Sequence, residues 1–222
     1  MMSTVDFDKA RFNMVEQQVR TWEVLDPHVL DLLSEVPREA YVPEQYRNLA
    51  YADARIPIGH GETMMPPVVE ARMLQALNIQ PSDQVLEIGT GSGYVTALLA
   101  NAAYHVDSIE IETDLSERAA RILAGQNIEN VTLEVGDALQ GNDNLRQHYD
   151  VIATTGSLPV MDEKLQYMLS IGGRLFVILG ESPAMEAVLI TRIGEDQWRH
   201  EGLFETDIDA LKNAPQPQAF VF

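Results

Sequence analysis

Cysteine is absent from the 222 residues, which excludes a disulfide framework and any thiol chemistry. Basic residues are scarce: 15 Lys and Arg stand against 34 Asp and Glu, a formal net charge of −19. Binding to a phosphate backbone depends on clustered Lys and Arg, so no nucleic-acid partner is expected, and the acidic excess reads as a solvated surface. No apolar run approaches the ~20 residues of a membrane span, and the opening MMSTVDFDKARF has acids and no apolar core, so neither a span nor a secretory leader is expected. The expectation is a soluble, cytoplasmic chain, monomeric or weakly homo-oligomeric. The five histidines (His28, His60, His105, His148, His200) are scattered without metal-ligand spacing, so no metal site is expected. Internal repeats, low-complexity blocks, P-loops and nucleophile elbows are also missing.

What is present is periodic. Residues 6–34 read as helical, with Phe12, Val15 and Val19, then Val29, Leu30 and Leu33, at helical spacing and Asp26-Pro27 as cap and first-turn proline. Segment 50–67 (AYADARIPIGHGETMMPP) shows no clean period, and an irregular connection of that length is more often functional than idle. Helix 67–78 follows. Then strand 84–88, helix 92–102, strand 105–110, helix 114–126, strands 131–135 and 149–154, helix 160–169 and strand 173–180 imply βαβ units and a parallel sheet covered on both faces. Extended segments near 184–193 and 197–205, joined at Gly194-Glu195-Asp196, suggest an antiparallel hairpin at the sheet edge. The organisation expected is one domain, 1–222, with an N-terminal helical, substrate-side extension (1–66), a ligand-binding core (67–206) and a polar, proline-containing tail (207–222).

The most informative stretch is Gln84 to Leu99, QVLEIGTGSGYVTALL. A short apolar run carries Glu87 near its end, three alternate glycines follow (Gly89, Gly91, Gly93, with Thr90 between), and a helix begins. The bare backbone allows close approach of a ligand, and the helix start offers unpaired N–H groups. A dinucleotide fold wants G-x-G-x-x-G, and Tyr94 stands where its third glycine would be. The pattern Glu-x-Gly-x-Gly-x-Gly instead resembles the first motif of S-adenosylmethionine-dependent methyltransferases. In an open parallel sheet ligands bind at the carboxyl ends of strands, which directs attention to Glu110-Ile111, about 20 residues past the glycine turn, to Asp137-Ala138, and to Thr154, Thr155, Gly156 and Ser157. A carboxylate at Glu110 suits a ribose diol, and one at Asp137 suits an adenine amino group. Glu112 and Asp114 read as caps of the following helix or solvated loop residues, and Met64 and Met65 as packing residues.

Over roughly residues 10 to 180 the chain resembles protein-L-isoaspartate O-methyltransferases. The resemblance is carried by Met14-Val-Glu-Gln-Gln-Val-Arg20, Val36-Pro-Arg-Glu39, Val42-Pro43, Ala50-Tyr51, Ile58-Gly59, Val85 to Tyr94, Ser108-Ile-Glu110, Gly136-Asp137, Tyr149-Asp150 and Gly172-Gly-Arg174. It implies a doubly wound, mostly parallel seven-stranded α/β sheet of the Rossmann-like methyltransferase type, with S-adenosylmethionine as cofactor and S-adenosylhomocysteine as product. It also implies an isoaspartyl-containing protein or peptide as methyl acceptor, in a protein-repair reaction. By the same resemblance Glu110 is the ribose ligand, Gly89 a methionine-side contact and Asp137 a contact near adenine. The substrate loop diverges. Where the family has Gly-Gln-Thr-Ile-Ser, this chain has Gly61-Glu62-Thr63-Met64-Met65, so Met65 replaces the serine and Thr63 is the remaining hydroxyl beside the reacting groups. Another methyl acceptor on the same fold, or a silent S-adenosylmethionine-binding protein, stays open at this point.

Overall fold

A computed structural model describes residues 5–140 and 145–217 of the chain. The helices are α1 (Phe7–Asn13), α2 (Pro27–Glu35), α3 (Pro67–Leu77), α4 (Tyr94–Ala102), α5 (Thr113–Gly125) and α6 (Glu163–Tyr167). The strands are β1 (Ile56–Gly59), β2 (Glu62–Met64), β3 (Gln84–Ile88), β4 (His105–Glu110), β5 (Val131–Val135), β6 (Tyr149–Leu158), β7 (Leu169–Glu181), β8 (Ala184–Gly194) and β9 (Gln197–Thr206). The main sheet runs β5-β4-β3-β6-β7-β8-β9. Its pairs from β5 to β7 are parallel, and β8 and β9 close it antiparallel, as the sequence pattern suggests. Strand order reverses between β3 and β6, which opens a crevice at their carboxyl ends. Among the described residues no helix is long and apolar enough to cross a membrane.

Several expectations from the sequence are corrected. The helical stretch 6–34 is broken: α1 runs into a π-helical turn, Met14–Val19, then a 3₁₀ turn, Arg20–Trp22, and stops at Glu23 with φ 62°. The wide turn shifts the helical phase, so Met14, Val15 and Val19 are buried while Phe12, expected inside, is 64% exposed. Asp26 caps α2 as read, accepting from the His28 N–H at 2.9 Å. The irregular 50–67 segment contains a small antiparallel hairpin, β1–β2. Strand β6 extends through Leu158, because Ser157 and Leu158 still pair with β7. Helix 160–169 shrinks to the five residues of α6.

Glu87, expected among the cofactor-binding residues, lies wholly inside the fold. Its Oε2 accepts hydrogen bonds from Thr96 Oγ1 at 2.5 Å and Ser108 Oγ at 2.6 Å. Ser108 in turn meets Thr90 Oγ1 at 2.6 Å. The carboxyl group thus ties β3 to β4, to α4 and to the turn above it. The sequence could not place it, because β3 is covered on both faces and Val85 to Ile88 are all buried, leaving no alternation to read. Burial pushes Glu87 up to about 8, against the two hydroxyl donors and with a small addition from Glu110.

A second buried brace joins the N-terminal third to the sheet. Arg38, with no exposed surface, pairs with Glu70 of α3, donates from Nη2 to the Met65 carbonyl at 2.7 Å and lies 4.7 Å from the centre of the Tyr94 ring. Burial works against its charge, and the Glu70 carboxylate more than offsets that cost, holding the guanidinium above its ordinary value. The larger apolar core runs without a break from Met14 and Leu33 through Met73 and Leu98 to Phe176.

The tail returns across the sheet. Ser157 N–H donates to the Asp209 carbonyl at 2.9 Å, Leu211 N–H donates to the Ser157 carbonyl at 2.9 Å, and Ile208 is buried. Leu211 packs over Gly156, where an added Cβ would lie 2.9 Å from Leu211 Cγ and 3.1 Å from its backbone nitrogen.

Two outcomes follow from this packing. Between the ordinary carboxylate range and pH 8 the native state holds a proton on Glu87 that the unfolded chain releases, so stability falls as pH rises. Relative to Glu87→Gln, the wild type loses roughly 4 kcal/mol from pH 5 to pH 8.5, read by urea unfolding; parallel profiles for the two proteins refute it. Gly156→Ala should lift the tail without disturbing the strands. Amide exchange of residues 208–212 then accelerates roughly tenfold or more while β6 and β7 keep their protection, and unchanged exchange contradicts the packing argument.

Candidate functional site

The crevice at the switch point is bounded below by the turn after β3. Its glycines have φ values of 97° (Gly89), 53° (Gly91) and 83° (Gly93), all in the left-handed region that side-chain-bearing residues avoid. At Gly89 a second constraint applies, because an added Cβ would collide with the Thr155 hydroxyl across the cleft. That hydroxyl holds the Gly89 carbonyl at 2.5 Å, and the Gly89 N–H donates to the Ile109 carbonyl at 2.8 Å. The turn is therefore pinned from both neighbouring strands and presents bare backbone to the cavity.

The cavity gathers ten of the residues singled out from the sequence: Thr63, Met65, Gly89, Gly91, Glu110, Ile111, Asp137, Ala138, Thr155 and Gly156. Five others, Ser157 among them, fall outside it. Glu87 and Thr90 belong to the buried chain beneath the turn. Gly93 starts α4 and faces α5, where an added Cβ would lie 3.0 Å from Ala119 Cβ. Thr154 is buried on the opposite face of β6, while its neighbour Thr155 lines the cavity. Side chains alternate along a strand, and the extension of β6 decides which threonine faces the ligand side.

Glu110, at the end of β4, is 4% exposed. Its Oε2 accepts from the Gly91 N–H at 2.7 Å and its Oε1 from the Glu112 N–H at 3.0 Å. Asp137 follows β5, with Oδ1 on the Leu139 N–H at 3.0 Å and Oδ2 on Asn213 Nδ2 at 2.7 Å. The two carboxylates stand on adjacent strand ends along one rim.

The opposite rim is the β1–β2 hairpin, and the tail crosses between the two. Asp209 accepts from Thr63 Oγ1 at 2.7 Å and from Arg55 Nη1 at 3.0 Å. Lys212 pairs with Glu112 and lies 3.5 Å from Glu62. His60, at the hairpin tip, contacts Glu112 at 3.3 Å and Asp114 at 2.8 Å. Asp114's hydrogen bond raises the His60 pKa from its ordinary value, and Lys212's hydrogen bond lowers that of Glu112. Glu112, expected as a helix cap, makes no capping bond with its side chain and joins this cluster instead. His60, Glu112 and Asp114 offer ligand-type atoms within 4.8 Å of one another, a grouping that histidine spacing did not suggest. Sequence reasoning missed Arg55, Asp209, Leu211 and Lys212. Of these only Arg55 lay in a segment marked as functional; Asp209 meets Thr63 and Arg55, and Lys212 meets Glu62, across more than a hundred positions, and such contacts leave no local signal.

Comparison with known proteins identifies the family. Residues 9–206 match the family model described as Protein-L-isoaspartate(D-aspartate) O-methyltransferase (PCMT). Protein-L-isoaspartate O-methyltransferase 1 of Rhodopseudomonas palustris (strain HaA2) is 39% identical over 221 residues, 96% of this chain and 90% of that protein. The protein-L-isoaspartate O-methyltransferase of Syntrophus aciditrophicus (strain SB) is 40% identical over 190 residues, 86% of this chain and 87% of its own. In fold, the chain resembles a Plasmodium falciparum structure described as a beta-aspartate methyltransferase in complex with S-adenosyl-L-homocysteine, with a TM-score of 0.79 at 21% identity, covering 94% of this chain and 99% of that one. By the family match over most of its length and by these relatives, the chain belongs to the protein-L-isoaspartate(D-aspartate) O-methyltransferase family.

Proposed function

We propose that the chain transfers a methyl group from S-adenosylmethionine to a carboxylate, the acceptor being an L-isoaspartyl residue of a damaged protein or peptide. The observation that carries this reading is the pairing of Glu110 with the bare glycine turn: a nearly buried carboxylate lies within hydrogen-bond reach of the Gly91 N–H at the switch point of the sheet. The residues fit the cofactor. Gly89 and Gly91 present bare backbone at the cavity wall in positive-φ conformations, Glu110 has the acceptor oxygens a ribose diol needs, and Asp137 with Ala138 lies one strand further on, where an adenine amino group finds an acceptor. We assign Gly89, Gly91, Glu110, Ile111, Asp137 and Ala138 to cofactor binding, and Thr63 and Met65 to the acceptor side. We also read 1–222 as one functional unit, since the extension and the tail both border the cavity.

When bound, S-adenosylmethionine supplies a methyl group on a positively charged sulfur. A carboxylate acceptor has an ordinary pKa of about 4 and is already ionised at neutral pH. The chain therefore needs no general base, and its residues act by alignment and by exclusion of water. Thr63 offers a hydroxyl donor to an acceptor oxygen. Met65, 4% exposed with its carbonyl held by Arg38, forms a fixed apolar wall. Met65 also favours a second reading, a different carboxylate acceptor, because a thioether donates no hydrogen bond where the family carries a serine.

The test uses labelled S-adenosylmethionine with a matched isoaspartyl and aspartyl peptide pair. Base-labile label on the isoaspartyl peptide alone is expected; label on neither, with cofactor binding intact, overturns the isoaspartyl assignment. Glu110→Ala is expected to weaken S-adenosylhomocysteine binding about 100-fold by calorimetry, as loss of charged hydrogen bonds does. An unchanged affinity removes Glu110 from the site.

A further inference from the structure

We propose that Arg55 and Thr63 form the seat of the acceptor carboxylate, and that the tail residue Asp209 occupies this seat as an internal stand-in until the acceptor displaces it. The inference rests on the carboxyl-methyltransferase reading and names the group that selects the acceptor. Two donors from the hairpin side of the cleft converge on one carboxylate, one per oxygen: Arg55 Nη1 at 3.0 Å from Oδ1 and Thr63 Oγ1 at 2.7 Å from Oδ2. A free acceptor carboxylate presents the same two oxygens at the same separation, and a charged donor with a neutral hydroxyl satisfies both.

The charge around the cleft makes Arg55 necessary. Glu62, Glu110, Asp137 and Asp209 all face the cavity, and an anionic acceptor entering it meets repulsion unless a cation receives it. Among the described residues lining the cavity the cations are Arg55 and Lys212. Lys212 is committed to Glu112 and Glu62, whereas Arg55 has Asp209 as its partner. The Arg55–Asp209 pair is exposed at 42% and 44%, and exposed ion pairs contribute little, so an incoming carboxylate exchanges with Asp209 at small cost. The exchange needs only a rotation of the Asp209 side chain. The Asp209 carbonyl stays on the Ser157 N–H at 2.9 Å, and Ile208 beside it stays buried. A hydroxyl and a guanidinium acting together also answer the absence of a serine at Met65, since the seat draws its second donor from Arg55.

The experiment measures methyl transfer to an isoaspartyl peptide and, separately, calorimetric binding of that peptide and of its counterpart with an α-carboxamide, both with S-adenosylhomocysteine present. In binding, the wild type is expected to prefer the carboxylate about tenfold or more, and Arg55→Ala to erase the preference. In turnover, Arg55→Ala raises KM about tenfold with a smaller change in kcat, and Arg55→Lys restores part of it. Asp209→Ala lowers KM a few-fold by removing the competitor. An unchanged KM and an unchanged carboxylate preference in Arg55→Ala overturn the seat, as does an Asp209→Ala variant whose kcat collapses while its S-adenosylhomocysteine affinity holds. Ester formation with Arg55→Ala indistinguishable from wild type rejects the seat and leaves the methyltransferase reading standing. Arg55-dependent carboxylate preference without ester on any peptide does the reverse. Neither binding nor ester rejects both.

Discussion

The site depends on one buried carboxyl group that never touches its cavity. Glu87 stands at the end of the central strand, and through Ser108 and Thr90 it holds the underside of the glycine turn. The turn needs that support because its three glycines lose more backbone freedom than any other residue would, so surrounding contacts must hold their positive φ. Ser108 and Glu110 lie two positions apart on β4, so their side chains leave the same face of the strand. The strand that anchors the turn therefore also delivers the rim carboxylate, at 2.7 Å from the Gly91 N–H. Binding geometry at Glu110 and stability at Glu87 are set by one register, Glu87 opposite Ser108.

The same logic extends outward through Arg38. A guanidinium without solvent contact needs a compensating charge and acceptors, and Arg38 finds them in Glu70 and the Met65 carbonyl, with its guanidinium near the Tyr94 ring and its Nε left without a partner. These partners come from α3, the hairpin exit and the first residue of α4. The N-terminal third is thus bolted to the helix that begins at the glycine turn, and the hairpin bearing Thr63 inherits a fixed position over the cavity. Breaking a buried pair of this kind by removing one partner is far costlier than losing a surface ion pair.

How much of this was legible follows from where the signal is local. The strands and helices from Gln84 to Val135 could be read within a residue or two, because each is a run of regular period bounded by turn chemistry. Glu110 and Asp137 emerged from the same regularity, as first polar positions at strand ends. The hairpin was illegible, since β1 and β2 have four and three residues among glycines and prolines, too few for a period. Thr154 and Thr155 could not be told apart, because the strand's end was misplaced and a shift of one residue reverses the face; Thr155 is the one that faces the cavity. The burial of Glu87 was not legible because a strand buried on both sides carries no alternation, and its partners are hydroxyls from β4 and α4 that the local sequence does not announce. The tail was least legible, since Asp209 meets Thr63 across 146 residues and Arg55 across 154.

That long-range closure gives the acidic composition a consequence. With a net charge of −19 the molecule offers an anionic acceptor no general attraction. Screening confines each surface charge to about 8 Å at physiological ionic strength, so the field that matters is local to the cleft. There the hairpin contributes Arg55 and the tail contributes Lys212, two cations facing a rim of carboxylates. Lys212 is drawn to Glu112 and Glu62, which fastens the tail across the mouth, and Arg55 is left with a side chain from that same tail. Closing the cavity and receiving an anion are therefore linked: the strap that completes the wall also supplies the carboxylate an acceptor must replace. A chain so rich in acid can serve an acidic substrate because it keeps one exposed cation at the reacting end and occupies it with an easily exchanged partner.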